Sequence, residues 1–179
     1  MSSLRNGGAE RSLVNLLQLL DYDRYNVDLL LFQNEGMFLK QVPKAVNIIS
    51  NCNKLYTLYD NNKAEALKHP YLSAIHMIGT FISRKKTNSV AKSRQYRWEH
   101  FYKKIVPELT KEYDVAIAYM QREQTYFLVD KVKAAKKIAW VHNEYSQLGH
   151  FKEMDLEYFE KVDKVVTISD LCAKDLKEN

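Results

Sequence analysis

Cysteine and proline are scarce in these 179 residues, with two of the first and three of the second. Cys52 and Cys172 stand far apart with no Cys-x-x-Cys spacing, which argues against a disulfide framework and against a structural zinc site and fits a reducing cytoplasm. No apolar run approaches the roughly 20 residues that a membrane-spanning helix needs. Met1 to Arg11 lacks the apolar stretch of a signal peptide. A cytoplasmic protein is therefore expected, soluble or held peripherally at the inner face of the membrane. Internal repeats, low-complexity tracts and Pro/Gly/Ser-rich linkers are missing too, so one contiguous domain over 1–179 is the simplest division. Disorder is excluded by 46% hydrophobic against 27% charged residues, the balance of an ordinary globular chain. Neither sign of charge dominates. Lys and Arg exceed Asp and Glu by 27 to 22, and the net +5 suits anionic substrates or surfaces without selecting one.

What is present alternates. Leu13, Leu16, Leu17 and Leu20 recur at helical spacing after Gly7-Gly8 and stop at Asp21-Tyr22-Asp23-Arg24, which predicts a helix over about 8–20. YNVDLLLF (Tyr25 to Phe32) is short, apolar and free of breakers, the pattern of a strand buried on both faces of a parallel sheet, and Val46 to Ser50 reads the same way. Three more such runs follow: DVAIAY (Asp114 to Tyr119), KIAWVH (Lys137 to His142) and KVVTIS (Lys164 to Ser169). Between them, Arg122 to Lys133 and Phe151 to Val162 have the length of crossover helices. The expected fold is therefore α/β, with a Rossmann-like, mostly parallel sheet flanked by helices. The middle departs from this. Ala64 to Leu109 is helical in pattern, with Trp98, Phe101, Tyr102, Ile105 and Leu109 on one apolar face, and reads as a helical insertion.

The glycine pair Gly7-Gly8 sits at a helix start, where unpaired amides and the helix dipole favour an anion such as a diphosphate. The competing reading is a tight turn and nothing more. His142 closes the run IAWV at the carboxyl end of a strand, the edge at which open α/β sheets bind ligands; a lone histidine is otherwise an ordinary core or surface residue. Asn143 and Tyr145 share its loop, either as hydrogen-bonding groups for a ligand or as solvated loop residues. Arg122 and Glu123 follow the strand DVAIAY and either line a ligand pocket or start a charged helix. Ser169 caps the last helix or contacts ligand.

Basic residues gather at Arg84, Lys85, Lys86, Lys92, Arg94, Arg97, Lys103 and Lys104, with Glu99 alone opposing them. They form a solvated helix face, or they attract anionic lipid headgroups at about 1 kcal/mol per residue. Tyr96, Trp98, Phe101 and Tyr102 are interleaved with them, yet no nucleic-acid module accompanies the cluster, and no nucleic-acid partner is expected.

GGAERSLVNLL (Gly7 to Leu17), YNVDLLLF, YDVAIAYMQREQTYFLVDKV (Tyr113 to Val132), KKIAWVHNEY (Lys136 to Tyr145) and YFEKVDKVVTISDLCAKDL (Tyr158 to Leu176) resemble, in this order, glycosyltransferase family four, retaining enzymes of GT-B fold. The stretch Asn51 to Lys111 carries none of the resemblance. The resemblance implies a hexosyltransferase moving sugar from a nucleotide-sugar donor to a saccharide or lipid-linked acceptor in cell-surface polysaccharide synthesis. Gly7 and Gly8 would then lie by the donor diphosphate, His142 by the transferred sugar, and Asn143, Tyr145, Arg122 and Glu123 by the acceptor. No metal and no cofactor are implied, the departing diphosphate being stabilised electrostatically.

Two departures accompany it. Only Met1 to Asn6 precede the glycine loop, where the family has a central first strand; that strand is missing, or another segment fills its place. The family's second domain, which holds the nucleotide, is also absent, so residues 1–179 correspond to the N-terminal, acceptor-side domain and are expected to be inactive in isolation. The alternative is a non-catalytic carbohydrate- or membrane-binding module derived from the same fold.

Overall fold

The computed structural model describes residues 1–49, 53–59 and 67–179. Cys52, the final Ser50 of the expected second strand and Ala64 at the expected start of the helical insertion lie outside them. The chain is α/β with two small parallel sheets and separates into two compact units, Met1–His69 and Pro70–Asn179.

The first unit opens with Met1 to Leu4, then α1 (Gly8–Leu19), β1 (Asp28–Leu30), a 3-10 turn (Leu39–Gln41), β2 (Asn47–Ile49) and α2 (Asn53–Tyr59). Leu13, Val14 and Leu17 are the buried stripe of α1, joined in the core by Leu29, Leu31, Phe32, Val46, Leu55 and Leu58. β1 and β2 pair in parallel, Leu29 opposite Ile48.

The first strand expected to be missing has a counterpart. The Met1 amine donates to the Leu30 carbonyl at 3.1 Å, and the Phe32 N–H donates to the Met1 carbonyl at 3.1 Å. That exchange around one residue is parallel pairing. It uses the groups of β1 that alternate with Val27, whose carbonyl accepts from Asn47 of β2; Met1–Leu4 and β2 therefore flank β1 on opposite edges. Leu4 is fully buried and exchanges further bonds with Glu35 and Phe38. Gly36, at φ +128°, lets the chain pass over this segment, because a Cβ there would strike the Leu4 carbonyl.

The second unit begins with α3 (Pro70–Lys86) and α4 (Val90–Arg97), continues through a widened π turn (Trp98–Tyr102) and one helical turn (Lys103–Ile105), and then alternates β3 (Glu112–Ala118), α5 (Glu123–Lys131), β4 (Lys133–Val141), α6 (Lys152–Phe159), β5 (Lys164–Thr167) and α7 (Asp170–Glu178). The strands lie in the order β3-β4-β5, all parallel, with Ile117 opposite Ile138 and Trp140 opposite Val166.

Helix α5 packs on β3 and β4 and against α6, burying Tyr126, Phe127 and Leu128. The π turn widens the helix so that Trp98 and Tyr102 both reach the interior. There the Trp98 indole and the Tyr158 hydroxyl both donate to Asp130, at 3.0 and 2.7 Å. Leu109, expected on the same helical face, lies beyond the helix, where its N–H donates to the Lys131 carbonyl. Strands β3 and β4 begin earlier than their apolar runs, with Glu112 opposite Lys133 and Tyr113 opposite Ala134, so Lys133, expected to end the crossover helix, belongs to β4.

Candidate functional site

In the second unit the parallel order brings three strand ends to one edge of the sheet: Tyr119 to Arg122 after β3, His142 and Asn143 after β4, and Ile168 to Asp170 after β5. Side chains alternate along strands, so Tyr119, Trp140 and His142 share one face. Their rings form a continuous group, with centroids 5.0 Å apart for Tyr119 and Trp140, 5.1 Å for Tyr119 and His142, and 5.4 Å for Trp140 and His142. Gln121 ties the first two strand ends together, its Oε1 accepting from the His142 N–H at 3.3 Å. The side chain is 2% exposed, and its Nε2 has no hydrogen-bond partner. A buried donor left in this way carries a desolvation penalty unless a ligand or water meets it.

Arg122 takes the step from β3 into α5 at φ 69°, ψ −126°. Among the described residues it is the only non-glycine with positive φ. Holding a side chain there costs on the order of 1–3 kcal/mol, and such strain gathers where function requires it. Its Nε lies 4.0 Å from the Glu123 carboxylate.

Glu123 is 1% exposed and ion-paired with Arg94 of α4. Burial alone would raise its carboxyl, but the charges of Arg94 and Arg122 and the Arg94 hydrogen bond outweigh burial and hold it below the ordinary carboxylate range. Glu123 is thus an internal counter-ion that anchors the base of the Arg122 turn, and the acceptor role expected for it has no open side chain to act through.

Tyr145 is likewise inside. It is buried, and its hydroxyl donates to Asp155 at 3.0 Å. That bond belongs to a hub in which the Asp155 carboxylate also accepts from Tyr126, from Gln95 Nε2 at 3.1 Å and from His150 Nδ1 at 2.7 Å. Burial and the adjacent Asp155 charge push the Tyr126 and Tyr145 phenols well up, so both stay protonated donors. Gln95 further accepts from the Phe151 N–H at 2.6 Å. The hub therefore pins the segment that follows His142 to α4, α5 and α6, and leaves Asn143 as its exposed polar residue beside His142. Ser169 acts as a cap, accepting from the Cys172 N–H at 3.2 Å.

Gly7 and Gly8 lie in the first unit, at the start of α1. Space opens beside Gly8, whereas a Cβ on Gly7 would run into the Glu10 carboxylate. A carboxylate at a helix start is favoured by the dipole. No group of three His, Cys, Asp or Glu among the described residues could hold a metal ion. The sequence does contain one Asp-x-Asp triplet, Asp21-Tyr22-Asp23, despite the metal-free expectation. It forms a turn after α1, where the Asp21 carboxylate accepts from the Asp23 N–H at 3.1 Å.

The basic cluster divides. Arg84, Lys85, Lys86 and Lys104 are exposed, but Arg94 pairs with Glu123, Arg97 donates to Ser93 at 3.1 Å, and the interleaved Trp98 and Tyr102 are buried. Gln121, Trp140 and the Asp155 hub were not singled out from the sequence. Gln121 sits next to Arg122 and Trp140 two residues before His142, so proximity was the available signal; Gln95 and Asp155 lie 60 residues apart and offered none. No protein-family model matches the chain, and no curated protein and no solved structure matches it significantly.

Proposed function

We propose that the chain is the acceptor-side, Rossmann-like half of a metal-independent glycosyltransferase, with the carboxyl edge of β3 and β4 as its sugar-facing surface. The observation that supports this most is the joining of an aromatic face to polar groups at one strand edge. The half-buried Trp140 and His142 rings, with centroids 5.4 Å apart, offer a surface for the C–H faces of a pyranose, while Asn143 and the Arg122 guanidinium offer donors to hydroxyl or anionic oxygens. In transfer, His142 would face the reacting sugar and Arg122 would orient the acceptor. The departing nucleotide diphosphate would be stabilised by amides and cations.

Transfer also needs a nucleotide pocket and closure of two domains on both substrates, because orientation supplies much of the rate. The 179-residue chain alone is thus expected to transfer no sugar and to bind donor only at about millimolar Kd, about −4 kcal/mol. Calorimetry with uridine and guanosine diphosphate sugars tests the donor side, and NMR titration with oligosaccharides tests the acceptor side. Shifts confined to His142, Trp140 and Gln121 are expected. Saccharide shifts elsewhere, or none at any concentration reached, would remove the site. Micromolar donor binding would place the donor pocket in this half and overturn the division of labour.

The Glu10 carboxylate beside Gly7 favours one further reading, a carbohydrate-binding module without catalysis. Glu10→Gln separates the two, since donor affinity should rise in an enzyme half and stay unmeasurable in a binding module.

A further inference from the structure

Helix α3 carries apolar side chains on the side it does not pack. Its buried residues are Leu72, Gly79 and Ser83. Gly79 meets the Phe101 ring, with only 3.4 Å to spare for a Cβ. Ser83 shares a hydrogen bond with Ser93 at 2.7 Å, and His76 Nδ1 lies 2.9 Å from the Tyr102 hydroxyl. Its outward side is apolar: Tyr71, Met77, Ile78 and Phe81 are 68%, 70%, 55% and 61% exposed. Residues 71, 74, 78, 81 and 85 fall at the three- and four-residue spacing of one helix face, and all five are exposed. Apolar groups cluster here instead of being scattered singly, and such contiguous exposure marks an interaction surface.

The charge on this helix chooses the occupant. Pro70–Lys86 contains no Asp or Glu, and it ends in Arg84, Lys85 and Lys86, all exposed. Lys85 Nζ sits 4.4 Å above the Phe81 ring, its stem lying along the apolar face and its ammonium at the rim, as snorkelling side chains do at a membrane interface. A second protein would need its own acidic rim beside an apolar groove; a bilayer with anionic lipid supplies both layers at once. At 17 residues the helix is about 26 Å long, and no helix among the described residues is long and apolar enough to cross a membrane. Lying in the interfacial plane is the geometry left to it.

We infer that α3 docks the protein on anionic membrane surfaces, with Tyr71, Met77, Ile78 and Phe81 entering the boundary between headgroups and acyl chains and Arg84, Lys85 and Lys86 pairing with lipid phosphates. The contact differs from the broad basic cluster read from the sequence, since Arg94 and Arg97 are engaged inside the unit. It does not depend on glycosyl transfer.

The test is flotation of the full chain with vesicles of phosphatidylcholine and phosphatidylglycerol in equal parts, and with phosphatidylcholine alone. The chain should float with the anionic vesicles and not with the neutral ones. Arg84→Gln/Lys85→Gln/Lys86→Gln should lower the partition coefficient by roughly two orders of magnitude. Ile78→Asn/Phe81→Asn should lower it by a similar factor, on the order of a hundredfold. All five positions are exposed, so these variants should fold, and an unchanged circular dichroism spectrum verifies it. Wild-type flotation of the Ile78→Asn/Phe81→Asn chain would reduce the contact to charge attraction and overturn insertion. Failure of the unaltered chain to float would overturn membrane docking outright. A self-associating chain that ignores vesicles and becomes monomeric on Phe81→Asn would assign the face to a second copy instead.

Discussion

Replacing Asp155 by alanine removes one carboxylate and strands several groups. Tyr126, Gln95, Tyr145 and His150 all direct donors at it, and every one of these side chains is buried. A hydrogen bond to a charged acceptor contributes about 1.5–3 kcal/mol, but donors sharing one acceptor do not add. Removing one member of a buried charged cluster typically costs about 3–5 kcal/mol, and part of the carboxylate's own desolvation penalty is recovered. About 4 kcal/mol is therefore expected, a large share of the roughly 5–15 kcal/mol that holds a domain together. At about 5 °C per kcal/mol the midpoint of thermal unfolding should fall by about 20 °C.

Asp155→Asn keeps an oxygen for Tyr126 and Gln95 and presents an amide to Tyr145 and His150, so about half the loss is expected. Tyr145→Phe removes a single donor and should cost about 1 kcal/mol. Urea and thermal unfolding give the ranking, and hydrogen exchange should rise across 142–151, the segment the hub pins. An Asp155→Ala loss below about 1 kcal/mol, or equal losses for all three variants, would mean that the carboxylate does not organise this core.

Arg122→Gly relieves the positive φ at 69° and should raise stability by about 1 kcal/mol, strain relief outweighing glycine's backbone entropy; Arg122→Ala, which keeps the strain, should not. Equal behaviour of the two in urea would show the turn to be unstrained. The Met1 amine, pushed down to about 5 from an ordinary value of 8.0 by burial, supplies a pH dependence. Between those values the unfolded chain binds the proton and the folded chain does not, so stability should rise as pH goes from about 5 to about 8, by up to about 4 kcal/mol. Urea midpoints that stay flat across this window would place the amine in water. In a two-domain enzyme carrying this half, His142→Ala should lower turnover by orders of magnitude with the unfolding midpoint unchanged; wild-type turnover would remove His142 from the site.

The α/β alternation was legible because short apolar runs bounded by charge have few other uses. All five expected strands lie where those runs stand, with Ser50 of the second outside the described residues. Their starts were less legible. Lys133 reads as the end of the crossover helix that begins at Arg122, yet it opens β4 opposite Glu112, and a tertiary partner overrides local pattern. Met1 to Leu4 carries too little pattern to be read as a strand and is fixed by what it touches. At the candidate site, the strand end at His142 could be read and the surroundings could not. Whether Tyr145 and Glu123 point outward or inward depends on Asp155 and Arg94, which come from distant parts of the chain. Spacing along a helix likewise identified apolar faces without saying which one faces water, and α3 turns its apolar face outward.

The Asp155 hub also bears on the order in which the chain acquires its structure. Its longest link, from Gln95 to Asp155, spans 60 residues, whereas the contacts of Met1 to Leu4 close over about half that distance. Loops of such length are closed late, after local helices and neighbouring strands have formed. During synthesis the amino-terminal segment can find its partners well before α6 has been made. Truncation at Asp155 should accordingly speed unfolding while leaving the folding rate almost untouched, a φ-value near zero measured by stopped-flow. A φ-value near one would mean that the hub is itself the nucleus around which the second unit condenses.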